Sequence, residues 1–282
     1  MCKGEIAFKD LKMLALDLDG TLLRKDKTIG DLTRQTLHNL RGQGVEITLV
    51  TGRVYHFSKH VEDLLGFPVN FICTDGAFLR PVNWRQPVFE TINPQVTKMV
   101  LKTLKAHLGS VYLVSNDQLL SYTADPDPEI RSWGFIINKH DFTTENEARI
   151  KQVEQIIIID QAAKTRGIYK ALNTVLPGVE LDMSPSLKSG YNQLVIRPQG
   201  VNKGSGLRTL TEILGIDIAE TVAFGDWLND LSMFNEAGLA IAPANAVPKV
   251  KEKAGIVSAF SNDQDFIAIE LQRLLTERKI IA

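Results

Sequence analysis

The sequence predicts an α/β protein in which a parallel-sheet domain is interrupted by an α+β insert. Three observations lead to this prediction. Short apolar runs alternate with amphipathic segments early in the chain, the alternation stops near the two prolines of residues 80–87, and it returns after residue 203. Such alternation is typical of βαβ units around a parallel sheet. The chain has 282 residues, 44% of them hydrophobic, which is enough for two domains with buried cores.

The first part of the parallel-sheet domain is predicted over residues 1–81. Strands are expected at the short apolar runs of residues 12–17, 45–50 and 69–73. Residues 28–44 carry leucines near helical spacing before two glycines, so they are predicted to form a helix. A second helix is expected over residues 54–65, ending at Gly66.

Residues 82–198 are predicted to form the α+β insert. Residues 94–109 place Val96, Val100, Leu104 and Leu108 on one stripe, which predicts an amphipathic helix. A further helix should end near residue 176, and residues 124–149 are rich in turn-forming and charged residues. Strands of the insert are expected at residues 111–115, 118–123, 155–160, 179–184 and 192–198.

Residues 199–282 are predicted to complete the parallel-sheet domain. A helix should begin at Lys203, and apolar runs predict strands at residues 221–226 and 239–242. Further helices are expected over residues 229–238, 247–255 and 263–275.

Charge and composition exclude several classes of partner. The formal net charge of −1 gives no basic excess for binding nucleic acid or an anionic membrane. The first residues lack the apolar core of a signal peptide, and no apolar stretch approaches ~18 residues, so a membrane association is not expected. The two cysteines, Cys2 and Cys73, suit a reducing, cytoplasmic location.

Charged and polar residues follow the predicted strands. Asp17 and Asp19 follow the first strand, and Thr51 and Gly52 follow the second. Later in the chain, further charged and polar residues lie at predicted strand or helix ends: Lys203, Asp226, Asn229 and Asp230. Because functional groups of open parallel sheets gather at the carboxyl ends of the strands, we expect these side chains to lie together.

These residue types fit phosphoryl transfer. Two carboxylates as close in sequence as Asp17 and Asp19 would repel each other unless a cation lies between them. Together with Asp226 they are oxygen donors of the kind that Mg²⁺ prefers. Thr51 and Lys203 supply the hydroxyl and positive charge that bind phosphate. A carboxylate facing a phosphoryl group can attack it to form an aspartyl-phosphate.

Four segments resemble, in order, the four motifs of the haloacid dehalogenase superfamily: DLDGTLL, TGR, the lysine at position 203 and GDWLND. The segments TDGA, GVNKGSGL and ANAVPKVKEKA, and the position of the insert, are similar to its Cof-type phosphatases. The resemblance implies a Rossmann-like core with a cap, and Mg²⁺-dependent hydrolysis of small phosphorylated metabolites such as sugar phosphates or phosphorylated cofactors. Asp75, in TDGA, stands where relatives often carry asparagine.

The resemblance also implies a role for each motif residue. Asp17 resembles the nucleophile, and Asp19 the acid that protonates the leaving oxygen and then activates water. The residues that resemble phosphate-binding groups are Thr51, Gly52, Lys203 and Asn229. Those that resemble Mg²⁺ ligands are Asp17, Asp19 through its backbone carbonyl, and Asp226.

Two residues of GDWLND have supporting roles in this reading. Asp230 resembles a group that orients Lys203 or a metal-bound water. Trp227 is expected to pack against its own loop.

Two other functions stay open at this stage. A phosphomutase of the same superfamily would use the same motifs. A receiver-like phosphorylation switch also uses acids, a threonine and a lysine on a parallel sheet, but it would not place a long insert before its lysine. We expect the insert to act as a movable lid that sets specificity. The substrate and the oligomeric state are not evident from the residues.

Overall fold

A computed structural model describes residues 11–104, 111–116, 118–121, 127, 130, 138–139, 152–173 and 176–277. The chain divides into two compact units. The first comprises Met1–Gly52, Ser58–Pro87 and Asn202–Ala282, and the second comprises Arg53–Phe57 and Val88–Val201. The domain boundaries expected from the sequence, after residues 81 and 198, stay a prediction.

The strands of both units are numbered along the chain. They are β1 Met13–Leu16, β2 Glu46–Val50, β3 Asn70–Cys73, β4 Phe78–Arg80, β5 Val88–Phe89, β6 Val111–Ser115, β7 Gln118–Ser121, β8 Asn138–Lys139, β9 Val153–Gln161, β10 Val179–Pro185, β11 Tyr191–Pro198, β12 Thr221–Phe224, β13 Leu239–Ala242 and β14 Ile256–Val257.

The described helices are numbered in the same way. They are α1 Asp31–Gly42, α2 Tyr55–Ser58, α3 His60–Leu65, α4 Pro94–Thr103, α5 Ala162–Asn173, α6 Lys203–Leu214, α7 Leu231–Glu236, α8 Pro248–Lys251 and α9 Phe266–Glu277. Short 3₁₀ turns occur at Thr74–Gly76, Ile218–Glu220, Leu228–Asp230 and Asn262–Gln264.

The first unit is built on a largely parallel sheet. Its strands lie in the order β14, β13, β12, β1, β2, β3 and β4. Neighbouring strands are parallel except for β3 and β4, which are antiparallel. The central strand β1 is buried along its whole length, which explains why its sequence is continuously apolar. The predicted parallel sheet is therefore confirmed, while the antiparallel β4 was not predicted.

Helices of the first unit cover the sheet with amphipathic faces. Helix α1 buries Leu37 and Leu40, and it packs against α9. The helix predicted over residues 54–65 is divided into α2, most of which belongs to the second unit, and α3. Gly66 ends α3 in a left-handed conformation, as expected. Among the described residues, the structure contains no helix that combines the length and the apolar character needed to cross a membrane.

The second unit contains a mixed sheet in the order β10, β11, β9, β6, β7 and β8. One face of β9, with Ile156 and Ile158, packs in a cluster that includes residues of α4 and α5. The other face, with Ile157 and Ile159, packs in a cluster that includes residues of the segment 53–57. This alternation explains the run of four isoleucines in a strand that is buried on both faces.

Some predicted elements of the insert are described only in part. Helix α4 ends at Thr103, and the remainder of its predicted range lies largely outside the described residues. The strand predicted at residues 118–123 is described over Gln118–Ser121, and residues 122–123 lie outside the described residues. Most of the turn-rich stretch 124–149 also lies outside the described residues.

Candidate active site

Asp17, Lys203 and Asp230 form a buried chain at the carboxyl ends of the central strands. The backbone of Asp17 continues the pairing of β1 with β12, since its N–H donates to the carbonyl of Phe224 at 3.0 Å. Lys203 begins helix α6, and its Nζ lies 2.6 Å from Asp17 Oδ1 and 2.6 Å from Asp230 Oδ1. All three side chains are less than a tenth exposed, so this lysine is held between two carboxylates away from solvent.

Asp230 orients the groups around it through both carboxylate oxygens. Oδ1 accepts from Lys203, while Oδ2 accepts from the backbone N–H groups of Asp226 and Trp227, each at 2.9 Å. This arrangement fits the predicted role of orienting Lys203. Trp227 is 57% exposed, and the expectation that it packs against its own loop stays a prediction.

A cluster of three carboxylates offers a place for a cation. Asp17, Asp226 and Asp230 each have an oxygen within 4.8 Å of the others, and all three residues are buried. Thr21, which was not predicted as a site residue, donates from Oγ1 to Asp226 Oδ1 at 3.0 Å. The position of Thr21 within the DLDGTLL segment could have identified it as a site residue.

The charges in this cluster do not balance. Burial, reinforced by the charge of Asp230, raises the pKa of Asp17 well above its ordinary value and the pKa of Asp226 to about 6. Burial alone would lower the pKa of Lys203, but the carboxylates of Asp17 and Asp230 raise it above its ordinary value. One ammonium therefore faces three buried carboxylates, and an added cation would relieve their repulsion.

The donor set fits Mg²⁺. The ion favours carboxylate oxygens and keeps some ligand positions for water or substrate phosphate. Both oxygens of Asp230 already accept hydrogen bonds, so Asp17 and Asp226 are the carboxylates better placed to act as ligands. The carboxylate of Asp19 is not part of the cluster, which leaves only its backbone carbonyl for the metal role assigned to Asp19 by resemblance.

Asp19 lies in a more open environment than Asp17. Its side chain is 43% exposed, and its Oδ1 accepts from the Nζ of Lys27 at 2.8 Å. An acid that must give a proton to a leaving group and take one from water needs access to both, so partial exposure suits that role. The contact with Lys27 was not predicted, because nothing in the local pattern distinguishes this lysine from Lys25.

The predicted phosphate-binding residues Thr51, Gly52 and Asn229 lie around the turn at Thr74–Gly76. Thr51 follows β2, and its N–H donates to the carbonyl of Ile72 at 2.8 Å. Its carbonyl accepts from the N–H of Asp75 at 3.1 Å. Asn229 donates from Nδ2 to Asp75 Oδ1 at 2.9 Å. Asp75 therefore links two of the predicted phosphate-binding positions.

Two asparagines hold the loop that follows β1. Asn245 donates to the carbonyl of Gly20 at 2.8 Å, and Asn262 donates to the carbonyl of Leu23 at 2.9 Å. Asn245 in turn accepts from the N–H of Asn262 at 3.0 Å. These supports come from the far end of the sequence. Asn245 lies in the ANAVPKVKEKA segment, but the motif alone did not indicate what it contacts.

Comparisons with known proteins identify related sequences over nearly the whole chain. Residues 14–271 match the family described as haloacid dehalogenase-like hydrolase. A Bacillus subtilis protein with the provisional name phosphatase YkrA is 29% identical over 266 residues, which cover 94% of this chain and 98% of that protein. A Cronobacter sakazakii protein named HMP-PP phosphatase is 28% identical over 239 residues, which cover 84% of this chain and 85% of the relative.

Solved structures show the same fold. The crystal structure of TM0651 from Thermotoga maritima has a TM-score of 0.81 at 26% identity, and the alignment covers 93% of this chain and 97% of that one. A haloacid dehalogenase-like hydrolase from Bacteroides thetaiotaomicron has a TM-score of 0.80 at 24% identity, with 94% and 99% covered.

Proposed function

Because the chain belongs to the haloacid dehalogenase-like hydrolase family, we propose that it is a Mg²⁺-dependent phosphatase that hydrolyses small phosphorylated metabolites through an aspartyl-phosphate. The observation that carries the proposal is the buried chain of Asp17, Lys203 and Asp230, beside the carboxylate of Asp226. It supports the proposal because a carboxylate that could act as the nucleophile, a buried positive charge and carboxylates that could hold a metal lie close together. Membership of a hydrolase family argues against the receiver-like switch.

In the proposed first step, a carboxylate oxygen of Asp17 attacks phosphorus. The bond between that oxygen and phosphorus forms as the ester bond breaks, and the leaving oxygen takes a proton from Asp19. Lys203 neutralises charge on the phosphoryl oxygens and keeps Asp17 oriented. Mg²⁺ bound by Asp17, Asp226 and the carbonyl of Asp19 would add further positive charge at the same place.

In the proposed second step, water cleaves the aspartyl-phosphate. Asp19, now ionised, takes a proton from the water as its oxygen attacks phosphorus, and the bond to Asp17 breaks. Inorganic phosphate leaves, and both carboxyl groups return to their starting states. The partial exposure of Asp19 supports this second role, because water must reach it.

The substrate class is proposed from the names of the relatives. A relative of 28% identity is named for HMP-PP, a small phosphorylated compound, and a small phosphorylated metabolite is accordingly the partner expected here. We also propose a cytoplasmic location, which the presence of only two cysteines in 282 residues supports.

Phosphate release from a panel of substrates tests the proposal. The panel contains sugar phosphates, flavin mononucleotide, pyridoxal phosphate, HMP-PP and p-nitrophenyl phosphate, each assayed with Mg²⁺ and with a chelator. We expect steady release that requires Mg²⁺ and no bisphosphate activator, which separates a phosphatase from a phosphomutase. Absence of release from every ester with Mg²⁺ present, in a protein shown to be folded, would contradict the proposed function.

A further inference from the structure

We propose that Asp75 is a positioning residue for the phosphate, acting through the side-chain amide of Asn229. This inference rests on the proposed function, since it concerns the same site. Asp75 lies outside the four motifs, and its role follows from the turn that carries it and from the hydrogen bond that its carboxylate accepts from Asn229.

The turn at Thr74–Gly76 has an unusual backbone. Thr74, Asp75 and Gly76 have φ angles of 52°, 50° and 100°, so three consecutive residues lie at positive φ. This conformation is unfavourable for a β-branched residue such as Thr74, and surrounding contacts must stabilise it.

The start of helix α6 lies directly against this turn. A Cβ on Gly76 would lie 2.2 Å from the carbonyl oxygen of Asn202, the residue directly before Lys203. Only a glycine permits this approach. The turn is therefore fixed against the same helix end that delivers Lys203.

Asp75 contacts two predicted phosphate-binding positions from this turn. Its backbone N–H donates to the carbonyl of Thr51, and its Oδ1 accepts from Asn229. A Cβ built on Gly52 would lie 3.2 Å from Asp75 Oδ1, so the carboxylate lies directly beside the loop that follows β2. The charge of Asp75 also contributes to the raised pKa of Lys203.

The carboxylate determines which end of the Asn229 amide faces it. An ionised carboxylate only accepts hydrogen bonds, so Asn229 must present its NH₂ group at this contact rather than its carbonyl. That nitrogen carries two hydrogens, and the contact uses one. The other is then available to donate to a phosphate oxygen. An asparagine at position 75 could pair with either end of the amide, so the orientation would no longer be fixed.

The test compares Asp75→Gly, Asp75→Asn, Asn229→Ala and the double variant of Asp75→Gly with Asn229→Ala. Glycine removes the carboxylate and tolerates φ of 50°, so the fold should survive. The measurements are inhibition by inorganic phosphate, and kcat and KM for p-nitrophenyl phosphate with Mg²⁺. We expect Asp75→Gly and Asn229→Ala each to weaken phosphate inhibition about tenfold, equivalent to ~1.4 kcal/mol.

The double variant gives the decisive comparison. If Asp75 acts through Asn229, the double variant should bind phosphate no more weakly than either single variant, within about twofold. Asp75→Asn should weaken phosphate inhibition only about two- to threefold, because an oxygen acceptor is still present. KM should change more than kcat in all of them.

Three results would overturn the inference in an active enzyme: unchanged phosphate inhibition in Asp75→Gly, unchanged inhibition in Asn229→Ala, or multiplied effects in the double variant. A variant that melts earlier but still binds phosphate normally would also overturn it, since that is the outcome for a purely structural residue. A wild-type protein that neither hydrolyses esters nor binds phosphate would overturn this inference and the proposed function together, which distinguishes the two failures.

Discussion

At the scale of single residues, Asp17 is the side chain on which the chemistry should depend. Replacing it by asparagine preserves its shape but removes the attacking oxygen anion. We expect Asp17→Asn to lose turnover by many orders of magnitude, as nucleophile substitutions usually do. Because burial raises the pKa of Asp17, its charge opposes folding in the metal-free protein, so the variant should be at least as stable as the wild type in a chelator.

The measurements for this variant are phosphate release and thermal unfolding. Asp31→Asn is a suitable control, because the side chain of Asp31 is 94% exposed at the start of α1. Activity of Asp17→Asn within tenfold of the wild type would rule out the aspartyl-phosphate mechanism.

Asp19 should affect both steps of the reaction. We expect Asp19→Asn to slow turnover by about 10²–10⁴-fold, the usual contribution of a general acid–base group. Attack by Asp17 on an ester with a good leaving group should suffer less than hydrolysis of the intermediate. The phosphorylated protein should then accumulate and be seen by intact mass after an acid quench. If no phosphorylated protein appears and good leaving groups give no advantage, Asp19 has another role.

Lys203 should be a stability determinant as well as a phosphate-binding group. Replacing it by methionine leaves the buried carboxylates without their cation, and breaking such a pair typically costs ~3–5 kcal/mol. Burial raises the pKa of Asp226 to about 6 and the pKa of Asp17 well above its ordinary value, so ionising either group opposes folding. That opposition is lost as the pH falls and the carboxylates become protonated. The difference between variant and wild type should therefore be smaller at pH 5 than at pH 7.5.

Urea unfolding of the metal-free proteins at the two pH values measures this effect. Lys170→Met, on the exposed side of α5, is the matched control and should change stability by less than about 0.5 kcal/mol at either pH. A loss of stability in Lys203→Met that is small, or that grows as the pH falls, would mean that this lysine does not stabilise the buried carboxylates.

At the scale of elements, helices α6 and α7 approach each other closely where α6 begins. A Cβ on Gly204 would lie 2.4 Å from the backbone carbonyl oxygen of Ser232. We expect Gly204→Ala to destabilise the protein by ~1–3 kcal/mol, the usual effect of overpacking. It should also reduce activity, because Lys203 is the neighbouring residue.

Gly167 provides the contrast. It lies within α5, and a Cβ there would meet nothing within 4 Å. Gly167→Ala should therefore stabilise the protein by ~0.5–1 kcal/mol, since alanine favours a helix more than glycine does. Urea unfolding distinguishes the two substitutions, and equal effects would mean that the approach of α6 to α7 is not sterically limited.

The elements also show how far the sequence could be used for prediction. Strand β1 and the Asp17 that follows it were predictable, because a continuous apolar run that ends in a carboxylate is a local pattern. Asp226 was predictable for the same reason. The contacts of Asp75 with Asn229 and of Asn245 with Gly20 were not, since each joins residues separated by more than 150 positions. No local periodicity reports such pairings.

At the scale of the whole molecule, specificity should depend on the second unit. On the proposed function, the motif residues of the first unit would bind the phosphate, and the remainder of the substrate would have to be recognised elsewhere. We expect an exchange of segments 53–57 and 88–201 for those of a relative to change the ranking of substrates by kcat/KM. Hydrolysis of p-nitrophenyl phosphate should largely persist. An unchanged ranking in a folded, active chimera would place specificity in the first unit.

The discontinuity of the second unit has an evolutionary consequence. Val54 and Phe57 pack in the same apolar cluster as Ile157 and Ile159, although more than 90 residues separate them along the chain. Recombination that replaced only residues 88–201 would pair these two side chains with a surface that had not evolved beside them. The two gene segments should therefore be inherited together. Chimeras that exchange the long segment alone should express less soluble protein than chimeras that exchange both.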